Sequence, residues 1–126
     1  MERGMVQVVT PGDRSSNGPQ TPGMLREQAF SEEGSWVGFV RTEPGMVSGW
    51  HHHGEYETFF YCVSGRVGVE HGPGGREGAE AGPGDFARIP KGTVHRESNP
   101  GDDESVAIVF RIGSGVPVVN VDGPDS

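Results

Sequence analysis

Cysteine is nearly absent from this sequence, apolar residues are scarce, and long hydrophobic runs are missing. The single cysteine, Cys62, cannot form an internal disulfide. A disulfide-stapled scaffold is thereby excluded and a reducing compartment expected. Hydrophobic residues make up 32% of the chain, and no run approaches the roughly 20 residues of a membrane-spanning helix. Basic residues are outnumbered: 10 Lys and Arg stand against 18 Asp and Glu, a formal net charge of −8. So acidic a surface repels phosphate backbones and anionic lipid, so neither nucleic acid nor a membrane is an expected partner. Residues 1–10 lack the basic start and apolar stretch of a signal peptide. These features predict a soluble cytoplasmic protein.

What is abundant is glycine and proline, 22 and 10 of 126 residues. Both are costly inside helices, by about 1 kcal/mol for Gly and about 3 kcal/mol for Pro. The load favours many short strands joined by tight turns, and the length suits one domain. Residues 5–9 read as a short strand and residues 10–23 as a loop rich in Pro, Gly, Ser and Asn. Residues 24–30, MLREQAF, are where a helical turn or two is expected. From Trp36 onward strand signals follow closely: 36–41, 58–63, 67–71, 77–81, 86–89, 94–97 and 105–112, with 116–121 in the tail. Turns such as Glu43-Pro44-Gly45 and Gly82-Pro83-Gly84 separate them. Strands at this spacing predict an all-β sandwich or barrel. The expected layout is an N-terminal arm over 1–35, a barrel core over 36–112, and a tail over 113–126 belonging to the same domain.

His51, His52 and His53 precede the strand expected near Thr58. Alternate side chains of an extended chain share a face, so His51 and His53 can point inward together while His52 turns away. Two imidazoles so placed form a pincer for a divalent ion. Glu57, four residues on, offers a carboxylate oxygen. His95 follows the turn Pro90-Lys91-Gly92, which can swing the next strand back across a barrel. Histidines plus a carboxylate, with positions left open, suit Fe, Mn, Ni, Cu or Zn.

The spacing of these residues resembles the cupin family. Its first motif is matched by Gly45, His51, His53, Glu57 and Gly65, its second by Gly84, Pro90, Gly92, His95 and Asn99. The resemblance implies a double-stranded β-helix, or jelly-roll barrel. It also implies a metal held by His51, His53, Glu57 and His95, and a small-molecule ligand or substrate. One spacing departs: seven residues separate Glu57 from Gly65 where the family usually has six. Counting back from Gly65 puts Thr58 in the carboxylate slot, whereas the parity of His51 and His53 favours Glu57.

The implied activity is that of a metalloenzyme, dioxygenase-like or isomerase/cyclase-like. The alternative is a non-catalytic module that holds a small ligand or a metal. The two end segments, 5–9 and 116–121, read as strands in need of partners, and cupins often pair through one sheet. A homodimer held partly by one of these segments is therefore expected. Other prominent residues have plainer readings. Cys62 is expected as a small buried hydrophobe, Asn99 as a turn residue, His52 and His71 as exposed or packing residues, and Arg41 and Arg88 as solvent-facing.

Overall fold

The computed structural model describes residues 4–125. Two five-stranded antiparallel sheets face each other. One has the order β1 (Met24–Glu32), β2 (Ser35–Thr42), β9 (Ser105–Ile112), β4 (Glu57–Ser64), β7 (Phe86–Ile89). The other runs β10 (Val119–Asn120), β3 (His51–His52), β8 (His95–Ser98), β5 (Val67–His71), β6 (Glu77–Ala81). This is the all-β architecture expected from strand spacing, in the jelly-roll form that the family resemblance implies. Among the described residues no helix is long and apolar enough to cross a membrane.

Residues 24–30, expected to turn helically, instead lie in β1, which pairs with β2 from Met24↔Thr42 to Glu32↔Ser35. The helix-favouring Leu, Arg, Glu, Gln and Ala of this stretch carry only a weak local preference, and the ladder with β2 overrides it. Residues 5–9 form no strand, and in the tail only Val119 and Asn120 pair, with His52 and His51.

Alternation decides which side chains meet between the sheets. In β4, Thr58, Phe60 and Cys62 are buried, and in β9 Ser105, Ala107 and Val109. Phe60, Cys62, Val69, Ala81, Ile89, Ala107 and Val109 form the core. The ladder between β4 and β9 is unbroken from Glu57↔Ile112 to Cys62↔Ala107 and shifts only between Cys62 and Ser64. Directly after this bulge, Gly65 turns with φ +75, and a Cβ there would stand 2.7 Å from the Glu104 carbonyl oxygen. That position accepts only glycine without strain.

The opposite face of the same sheet carries two cross-strand rows rich in apolar residues. Phe39, Ile108, Tyr61 and Phe86 stand in one cross-strand row, and Val37, Phe110 and Phe59 in the next. Phe86, Phe110 and Ile112 are exposed.

Candidate metal centre

Two paired strands, β3 and β8, deliver three imidazoles to one point. His51 opens β3 and is registered opposite His95, which opens β8. His53 follows β3 directly. The ring centroids lie 4.4 Å apart for His51 and His95, 5.0 Å for His53 and His95, and 5.2 Å for His51 and His53. His95 and His53 are buried and His51 nearly so. The expected inward pairing of His51 and His53 is what the structure shows. His52 accepts a hydrogen bond from the Gly54 amide at its Nδ1 instead.

Each ring is oriented by a backbone carbonyl. Nδ1 of His51 lies 2.9 Å from the Gly49 oxygen, that of His53 2.8 Å from the Pro117 oxygen, and that of His95 2.8 Å from the Thr93 oxygen. A carbonyl only accepts, so each Nδ1 must carry its hydrogen. In the neutral rings Nε2 is then a bare lone pair, the form in which imidazole ligates a metal.

The carboxylate at this point is Glu97. Its Oε1 lies 3.2 Å from His95 Nε2 and 3.8 Å from His51 Nε2. The ligand atoms of His51, His53, His95 and Glu97 all lie within 4.8 Å of one another. Three lone pairs and an anionic oxygen repel unless a cation sits among them. His53 Nε2 is buried with no hydrogen-bond partner at all. Ligand atoms about 2.1 Å from a central ion lie at most about 4.2 Å apart, so small side-chain shifts would bring this set onto one. The residues fit a divalent metal.

Glu57 is not part of this set. Its carboxylate takes a two-pronged contact from Arg88, at 2.8 Å and 3.4 Å, on the outer face of the sheet. No irregularity precedes Cys62 in β4, so nothing turns Glu57 inward, and alternation gives the inward place to Thr58. The count back from Gly65 therefore names the inward residue. Its hydroxyl is buried without a hydrogen-bond partner, and the carboxylate of the cluster comes from the other motif. The signal in the sequence is the same alternation that pairs His51 with His53: His95 and Glu97 are also two apart on one strand.

Asn99, expected as a turn residue, is a buried clasp. Its Nδ2 donates to the Thr42 and Asp103 carbonyls, and its Oδ1 accepts from the Gly101 amide. Cys62 is fully buried, and burial pushes its thiol pKa up.

The electrostatics follow from this geometry. Burial, reinforced by the cationic Arg111, pushes His53 down to about 4. Burial also pulls on His51, but the Glu97 carboxylate outweighs it and leaves His51 above its ordinary value. Burial works against the charge on Glu97, yet the adjacent imidazoles of His51 and His95, which donate from Nε2 only when protonated, hold it well below the usual carboxylate range.

The cluster opens onto a cavity of about 140 Å³ between the sheets. Phe60, Val67, Ala107 and Val109 give it an apolar wall, and Thr58, Arg26 and Arg111 add polar groups. The space is roomy enough for a small organic molecule or several waters.

Residues 38–112 match the family described as the cupin domain. No curated protein sequence matches the chain. Among solved structures, a double-stranded β-helix protein of Klebsiella pneumoniae is similar, with TM-score 0.69 and 19% identity over 85% of this chain and 91% of that one. KdgF from Halomonas sp. gives TM-score 0.68 and 22% identity over 86% and 94%. Oxalate decarboxylase of Bacillus subtilis gives 0.68 and 20% over 82% of this chain but only 29% of its own. Likeness at this level shows the fold.

Proposed function

The chain belongs to the cupin-domain family, whose match covers more than half of it, and from that premise we propose a metalloprotein acting on a small organic molecule. The observation that carries this reading is the set of three Nδ1-to-carbonyl bonds, which leaves three Nε2 atoms aimed at one carboxylate. Fe, Mn, Ni, Cu and Zn all accept such donors. A metal held by His51, His53, His95 and Glu97 would supply Lewis acidity or activate water or dioxygen at the cavity wall. Dioxygenase-like chemistry is the leading class, and isomerase or cyclase chemistry the next. A Mn(II)-containing oxalate decarboxylase among the structural neighbours supports a metal of this kind.

A second reading, a non-catalytic binding module, draws on the cavity lining. Outside the cluster its titratable side chains are Arg26 and Arg111, so no separate acid–base pair stands there. The proposed compartment is the cytoplasm, in keeping with a lone, buried, free cysteine. The proposed assembly is a homodimer, for which the apolar outer face of the β1-to-β7 sheet is a stronger basis than the end segments.

Plasma mass spectrometry on the purified protein tests the first reading. Stoichiometric transition metal, with oxygen uptake or substrate turnover in a screen, supports the enzyme. Stoichiometric metal with ligand binding but no turnover supports the module. Failure of all five metals to bind after loading removes the metal centre.

A further inference from the structure

We propose that the cavity selects small organic carboxylates, the carboxylate group being held by Arg111 and Thr58 and the rest of the molecule facing the histidine cluster. This names the ligand class of the site just described, and rests on that reading for the ligand's far end.

Arg111 lies on β9, in the middle of its sheet. It is registered between Trp36 of β2 and Thr58 of β4, and alternation turns it inward, away from Phe110 and Ile112. A buried guanidinium is costly unless an anion meets it. Yet Arg111 makes no ion pair among the described residues. Its Nε is buried without a hydrogen-bond partner, and so is the Oγ1 of its neighbour Thr58. Both residues line the cavity. The guanidinium carbon lies 5.7 Å from the centre of the Trp36 ring, which bounds it on one side.

The carboxylate that lines this cavity, Glu97, is already engaged by His51 and His95. Two residues that line one space thus each hold a donor without a partner, and one of them carries a positive charge outside any ion pair. A guanidinium beside a hydroxyl matches a planar group with two oxygens and a single charge. A phosphate dianion would bring a second negative charge toward Glu97. Apolar residues Val40, Phe60, Val67 and Val109 line the remainder, which suits a short hydrocarbon body.

The test compares acids with their uncharged amides: propionate with propionamide, benzoate with benzamide, and pyruvate with pyruvamide. Binding to the full chain is followed by calorimetry and by tryptophan fluorescence, which Trp36 beside Arg111 should report. Metal content is measured on the same samples, before and after chelation. At least one acid is expected to bind at least about tenfold more tightly than its amide, since a hydrogen bond to a charged group contributes roughly that factor or more. Arg111→Gln should remove this preference, Arg111→Lys should keep part of it, and Thr58→Val should weaken acid binding severalfold. Equal binding of acid and amide by the wild-type chain would overturn the proposal, even if the variants fail to fold. So would unchanged acid binding in a folded Arg111→Gln protein, or binding of none of the three acids. Acid preference without bound metal would remove the metal centre and leave the anchor. Bound metal without acid preference would do the reverse.

Discussion

Glu97 stands two residues beyond His95 on the same face of β8, its Oε1 3.2 Å from His95 Nε2. One short strand thus contributes both a neutral and an anionic donor to the cluster. Glu97→Gln should lower metal affinity by at least about tenfold, because even partners one step removed from a metal typically cost 10–100-fold. His51→Ala, His53→Ala and His95→Ala should do the same. Glu57→Gln should leave metal content unchanged, since Glu57 is occupied by Arg88. Metal content after dialysis against a weak chelator checks all five. Loss in Glu57→Gln with retention in Glu97→Gln would reverse the assignment.

Pro117 orients a ligand from far along the chain, its carbonyl 2.8 Å from His53 Nδ1. A chain ending at Gly115 loses the edge strand β10 and should keep the other nine strands, but lose metal affinity by about 10–100-fold. Circular dichroism and metal titration, run together, separate the two effects. Undiminished affinity would show that the tail does not position His53.

Metal-free protein should lose stability as pH falls from about 6.5 toward 4. In that window the unfolded chain binds a proton at His53, while the folded chain, with its value near 4, does not. The sign is therefore loss on acidification. A depression of this size corresponds to roughly 3 kcal/mol at most. His51 is shifted upward, so its contribution is present at low pH and offsets part of the loss. His53→Asn, which cannot titrate, should lose about 1–3 kcal/mol less between pH 7 and 4.5. Urea unfolding in chelator measures this, and equal losses in both proteins would contradict it. In loaded protein the same protonation should release metal between about pH 6 and 4. Full occupancy after dialysis at about pH 3.5 would argue against histidine ligation.

Gly65→Ala should destabilise the fold by about 2 kcal/mol or more, through its positive φ and the close Glu104 carbonyl. Denaturant unfolding gives the value. A change below about 0.5 kcal/mol would mean that the turn rearranges at little cost.

Light scattering coupled to size exclusion should report a dimer at tens of micromolar. Phe110→Asp, in the apolar outer face, should shift it toward the monomer. A monomeric mass for the wild-type chain would end the homodimer proposal. A dimer unaffected by Phe110→Asp would move the interface to the end segments.

Much of this architecture was legible in the sequence, and the reason is local. Strands bounded by Gly-Pro turns leave little freedom in where they begin. The alternation that pairs His51 with His53 acts over two residues. The errors arose where the deciding contact was distant. Leu25 to Ala29 favour a helix by themselves and become a strand only because β2 lies alongside. Glu57 carries the chemistry of a ligand, but its direction is set by the β9 register and by Arg88, 31 residues away. Glu97 stands outside the spacing of either motif, and only the alternation along β8 marks it as sharing a face with His95. Arg111 resembles a strand's ordinary solvent-facing cation until the second sheet covers it.

Strand β9 serves three neighbourhoods at once. Its inward positions run from the core at Ala107 and Val109 to the cavity at Arg111, and its outward positions carry Ile108 and Phe110. A change there alters packing and recognition together, so selection for a new ligand has little room on this strand. Val118 also lines the cavity, and it lies on the tail just outside the two-residue ladder of β10. Diversification of ligand preference, natural or engineered, can proceed along that tail while the barrel stays intact.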